Sequence, residues 1–145
     1  MIKHPKRRGE WVELQFMARA AAHGLTVSKP WGDSARYDFA VEHAGHFSRV
    51  QVKSTSYFST TRRGRSSAYL CNIVSRSGSP YDHSRTYDAR QIDFFALFIV
   101  PEEIWYIIPV ADLRDAHWAL QLNPYDRRNK YFPYLEAWHL LRGDA

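Results

Sequence analysis

Two apolar runs, at residues 94–100 and 104–110, are separated only by Pro101, Glu102 and Glu103. Each has the length of a strand and neither alternates with polar residues. A strand with no polar face has no side to offer to water, so both runs read as strands buried inside a sheet that is covered by other layers. A chain of 145 residues is the size of one domain and long enough to supply those layers, and residues 1–145 are taken as a single unit. The hydrophobic fraction of 45% and aromatic fraction of 15% exclude a disordered chain.

The rest of the sequence supplies the covering elements. Between residues 10 and 23, Trp11, Leu14, Phe16, Met17, Ala20 and Ala21 recur at helical spacing, with Gly24 as the stop. Residues 25–28 form a short strand and 31–34 a turn. Strands at 37–42 and 47–52 flank the tight connection His43-Ala44-Gly45-His46, which makes them a hairpin. Residues 54–67 form a polar, basic loop, and 68–74 returns to strand character. Residues 75–87 are a further connection, and 88–91 a short helical turn. A helix is predicted over 111–120, an irregular stretch over 123–133 and a closing helix over 134–141. This order predicts an α/β fold with a central sheet.

A net charge of +5 favours polyanionic partners, because each phosphate neutralised by Lys or Arg releases a condensed counterion. Cys71 is the sole cysteine, which excludes an intrachain disulfide and a cysteine-built zinc site. The basic amino terminus lacks a following apolar stretch, and no segment approaches the ~20 apolar residues that span a bilayer. A soluble, cytoplasmic protein is expected.

Asp38 falls within the strand at 37–42, an unusual place for a residue of low strand propensity. On the next strand Gln51 and Lys53 are two residues apart and leave one face, while Val50 and Val52 leave the other. The hairpin brings Asp38 beside that polar face. Glu10 and Glu13 lie three positions apart on the first helix, and one of them can lean over the sheet toward Asp38. Glu13 is preferred, since it lies deeper, where compensation of the helix dipole explains it less well than Glu10. Two carboxylates, an amide and an ammonium form a set suited to a hard divalent cation and a phosphodiester.

These residues resemble a known family. Asp38 in RYDFAV, the Gln51-Val52-Lys53 of RVQVKST and the helix GEWVELQFMARAAAHG resemble the PD-(D/E)XK nuclease superfamily. The likeness is closest to the group I intron-associated endonuclease branch, in which Gln replaces the motif's acidic residue. It implies a single-domain, restriction-endonuclease-like core with a central mixed β-sheet flanked by helices, and Mg²⁺-dependent cutting of double-stranded DNA, with Mn²⁺ as a substitute. Glu13 and Asp38 would be carboxylate ligands, the Val52 carbonyl a further ligand, Gln51 the occupant of the second acid's place, and Lys53 the residue that activates water or offsets charge. Two departures stand out: no Pro precedes Asp38, and Gln51 removes one negative charge, which weakens Mg²⁺ binding.

Other readings compete. A lone strand aspartate is usually held by a loop amide or an arginine such as Arg36, and a lone strand lysine usually guards a sheet edge. Gln51 and Lys53 opposite Asp38 favour a shared site. Arg62, Arg63 and Arg65 in the basic loop are candidate DNA contacts, although charged loops are commonly just solvated. Lys3, Lys6, Arg7 and Arg8 near the amino terminus, and later Arg127, Arg128 and Lys130, are weaker candidates for backbone contacts. No histidine pair has metal-ligand spacing with a supporting acid, and the aromatic residues of 94–106 read as core. One site per chain predicts a homodimer or homotetramer for cutting both strands. The rival functions are a Holliday-junction-resolvase-like nuclease and a catalytically silent DNA-binding module.

Overall fold

The computed structural model describes residues 2–60, 67–74, 89–114, 116 and 118–144. Helix α1 (Pro5–Ala22) starts ahead of the apolar periodicity, because Pro5 at its first turn is already set for helical φ and needs no hydrogen bond there. Val12, Phe16 and Ala20, four residues apart, are its buried stripe.

Among the described residues, eight strands follow: β1 (Thr26–Ser28), β2 (Phe39–His43), β3 (His46–Thr55), β4 (Phe58–Ser59), β5 (Ala68–Asn72), β6 (Phe94–Ile99), β7 (Ile104–Pro109) and β8 (Ala119–Leu122). The main sheet runs β1-β2-β3-β6-β7 and is mixed, with β3 and β6 parallel and every other pair antiparallel. The β2–β3 hairpin closes at His43 opposite His46. Its two turn residues, Ala44 and Gly45, have φ of 50° and 81°, the backbone twist that two-residue hairpins prefer. Asp38 falls just before β2 and not inside it.

The continuous apolar runs are buried on both faces, as their composition predicts. Ala96, Phe98, Trp105 and Ile107 pack with Val50 against Val12 and Phe16 of α1. Phe95, Leu97, Tyr106 and Ile108 pack in a second core with Cys71, Leu120 and Leu122. That second face is covered by a small sheet, β4-β5-β8, which alternation within single segments does not disclose. Thr55 ties the layers together, its Oγ1 donating to the Leu70 carbonyl at 2.7 Å.

Three predicted elements need correction. The described residues of 111–120 do not form the expected helix: a 3₁₀ turn lies at Val110–Asp112 and β8 begins at Ala119, with Leu120 paired to Cys71. Residues 134–141 form 3₁₀ turns at Phe132–Tyr134 and Trp138–Arg142 in place of a helix, because Glu136 between them has φ 51°. Glu136 is held there by hydrogen bonds from the Trp105 N–H at 3.0 Å and the Trp138 indole N–H at 2.7 Å. In the predicted basic loop, Ser54 and Thr55 continue β3 and Phe58–Ser59 pairs with β5. Residues 61–66, with Arg62, Arg63 and Arg65, lie outside the described residues, as do 75–88.

The parallel β3–β6 junction carries a clamp. Arg49 Nε and Nη2 donate to the Asp93 carboxylate, each at 3.0 Å, and the Arg49 backbone N–H donates to it at 2.7 Å. The Arg49 guanidinium, opposed by burial, holds the Asp93 carboxyl below its ordinary value of 3.8. A depressed carboxylate stabilises the fold above the unfolded-state pKa, and loses that contribution as pH falls through the folded one. Asp93→Asn is therefore expected to lower the midpoint of thermal unfolding at neutral pH, with the gap to the wild type closing below pH 3.8.

Candidate active site

The candidate site lies where β2 begins and its partner β3 runs on past it. The Asp38 N–H donates to the Val50 carbonyl at 2.9 Å, and Asp38 Oδ2 accepts the Val52 N–H at 2.7 Å. The side chain thus replaces the acceptor that a longer β2 would have supplied. By holding Val50 and Val52, Asp38 brackets Gln51. Gln51 and Lys53 leave β3 on the face opposite Val50, alongside Phe95 and Leu97 of parallel β6. A residue's N–H and C=O point to one strand edge, so the Val52 carbonyl also faces past the start of β2.

Glu13 comes from the opposite side of the sheet, on α1. It is half-buried, and Lys29 Nζ donates to its Oε2 at 2.8 Å. Glu10 is exposed. Lys29 follows β1 and also sits 5.1 Å from the centre of the Phe39 ring.

Electrostatics tie these groups together. Burial pushes the Asp38 carboxyl above its ordinary value; the Val52 hydrogen bond opposes this, the Glu13 carboxylate adds to it, and the ammonium groups of Lys53 and Lys29 oppose it. Two acids and two lysines therefore share one field at the strand end. Lys53 Nζ also donates to the Val74 carbonyl at 3.4 Å. Cys71, whose thiol burial pushes up to about 12, is no nucleophile at neutral pH.

Beside Lys53 opens a cleft of about 340 Å³, lined by Arg8 and Gly9 of α1, the end of β3, Asn72 and Val74. Of the candidate basic residues, Arg8 lines this cleft, while Lys6 and Arg7 are exposed on the first turns of α1. Lys29 was invisible to sequence reasoning. It stands at the close of a three-residue strand before Pro30, and only the pairing of Ser28 with Ala40 brings it to Asp38.

Among the described residues no group of three or more His, Cys, Asp and Glu side chains is arranged to hold a metal. The donors on hand are two carboxylates with neutral amide and carbonyl oxygens. That set suits a hard cation whose remaining positions go to water or phosphate, and does not suit a histidine- or cysteine-bound zinc. Among the described residues, no helix is long and apolar enough to cross a membrane.

The model of the PD-(D/E)XK endonuclease family matches residues 3–141, and the chain belongs to that family. Among solved structures, a bacterial homing endonuclease, I-Ssp6803I, is similar over 98% of this chain and 94% of its own, with a TM-score of 0.73 and 26% identity. No curated protein matches the chain.

Proposed function

We propose that this chain is a metal-dependent DNA endonuclease of the homing type, hydrolysing phosphodiester bonds at the start of β2. The observation that carries the reading is a half-buried Asp38 just before β2 that feels the charges of Glu13 on α1 and Lys53 on β3, in a chain of an endonuclease family. The likeness to a homing endonuclease over nearly the whole of both chains supports the narrower class.

Glu13 and Asp38 would hold Mg²⁺ or Mn²⁺, with the Val52 carbonyl and the Gln51 amide as neutral donors. The metal ion supplies a lowered pKa for water and polarisation of a phosphoryl oxygen. Asp38 is fixed for this role by the Val52 N–H, which sets its carboxylate before any ligand arrives. Lys53, on the face of Gln51, orients the attacking water and offsets charge that develops on the phosphoryl oxygens. Arg8 and the cleft beside Lys53 give the scissile strand a cationic path, and Lys6 and Arg7 extend it. Gln51 stands where the family motif has an acid, so the centre carries one negative charge fewer and relies more on substrate phosphate. One centre per chain calls for a dimer or larger assembly to cut both strands.

Incubation of supercoiled plasmid with Mg²⁺ tests the reading. Nicked and linear products are expected from the wild type, none in the presence of a chelator and none from a folded Asp38→Asn variant. Persistent failure of the wild type to cut with either Mg²⁺ or Mn²⁺ would contradict it.

A further inference from the structure

Lys29 is the one member of the charge cluster that the proposed chemistry leaves without a role. We infer that Lys29 is a resident counter-ion for Glu13, which a divalent cation must displace to occupy the site. The inference rests on the reading of Glu13 as a metal ligand.

The geometry is specific. Lys29 Nζ is 2.8 Å from Glu13 Oε2, a charge-assisted contact on the same carboxylate that would take the metal. A divalent ion and an ammonium cannot share one carboxylate at close range without strong repulsion. The pair is asymmetric: the Lys29 side chain is 57% exposed and that of Glu13 is 28% exposed. The acid is fixed by its helix, and the lysine is the partner that can swing into water. An exposed ion pair of this kind is weak, so a hard cation can break it. The Phe39 ring, 5.1 Å below Nζ, adds a second weak hold.

Charge counting gives the device its purpose. Glu13 and Asp38 repel each other, and burial already disfavours the ionised Asp38. Without a metal, Lys29 and Lys53 together cancel the two negative charges and keep both acids ready. With an acid at position 51 one lysine more would be needed for the same balance. The neutral Gln51 makes Lys29 sufficient, and the site stays closed to metal until a cation competes for Glu13.

Calorimetric titration of the whole protein with Mn²⁺ alone, without DNA, tests this. Lys29→Met is expected to bind Mn²⁺ about threefold to tenfold more tightly than the wild type, while Lys29→Arg, which keeps the pair, stays near the wild type. Added NaCl, which screens an exposed pair, should narrow the gap between Lys29→Met and the wild type. Equal or weaker Mn²⁺ binding by a folded Lys29→Met variant overturns the inference. Glu13→Gln separates the two levels: loss of Mn²⁺ binding keeps Glu13 as a ligand whatever Lys29 does, whereas wild-type binding in Glu13→Gln, or none in the wild type, overturns the ligand assignment and this inference with it.

Discussion

Alanine in place of Lys53 is expected to slow DNA cleavage by about 10²–10⁴-fold, the range that a positioned proton-transfer or charge-stabilising group contributes. The loss should fall on chemistry and not on folding. Lys53 is only half-buried, and the core on either side of it is built from Val50, Phe95 and Leu97. Its Nζ rests near the Val74 carbonyl and within the electrostatic reach of Asp38, so its removal takes away a fixed cation at the strand end. Mn²⁺ binding should survive, because both carboxylates remain. Arginine is a poor replacement: its guanidinium does not give up a proton and its planar fork needs more room than the ammonium. Single-turnover cleavage rates, with unfolding midpoints measured beside them, check the expectation. A Lys53→Ala enzyme that cuts at the wild-type rate would remove Lys53 from the mechanism.

The largest effect on stability is expected at Phe16. It is fully buried, and its ring lies 5.2 Å from Phe39, 5.6 Å from Trp105 and 5.6 Å from Trp138. It is the point where α1 meets the sheet and the carboxy-terminal segment together. Phe16→Ala removes those ring contacts and leaves a cavity that rigid neighbours cannot close, at a cost of about 3–5 kcal/mol. Against a total of about 5–15 kcal/mol for a domain, that is a large share. Glu13 lies three residues earlier on the same helix, so a loosened α1 also loosens one side of the proposed metal site. Denaturant unfolding should show the lowered midpoint, and the folded fraction of the variant should bind Mn²⁺ more weakly than the wild type. A midpoint shift of less than about 1 kcal/mol would mean that the α1 interface can repack around the smaller side chain.

Much of the candidate site's placement is legible because its signals are local. The two-residue spacing of Gln51 and Lys53 places them on one face whatever the rest of the chain does, and His43-Ala44-Gly45-His46 fixes the hairpin that brings Asp38 alongside. The boundary of β2 was less legible. Asp38 uses its side chain to continue a ladder that its own backbone leaves, a substitution that strand propensity does not encode. The second sheet escaped for a different reason: β8 exists because Leu120 and Leu122 find β5, and a four-residue strand stabilised by a distant partner has no distinctive periodicity of its own. The apolar spacing of the closing segment suggests a helix, while Glu136 in a left-handed conformation breaks it and accepts hydrogen bonds from Trp105 and Trp138. Lys29 escaped because its importance is wholly tertiary.

The most direct measurement is an anomalous difference map from crystals of the protein grown with Mn²⁺. A single strong peak between the carboxylates of Glu13 and Asp38, beside the Val52 carbonyl and with Lys29 swung clear, is the expected result. Mn²⁺ bound elsewhere, with Lys29 still seated on Glu13 at saturating metal, would contradict a metal-dependent nuclease centre at the start of β2.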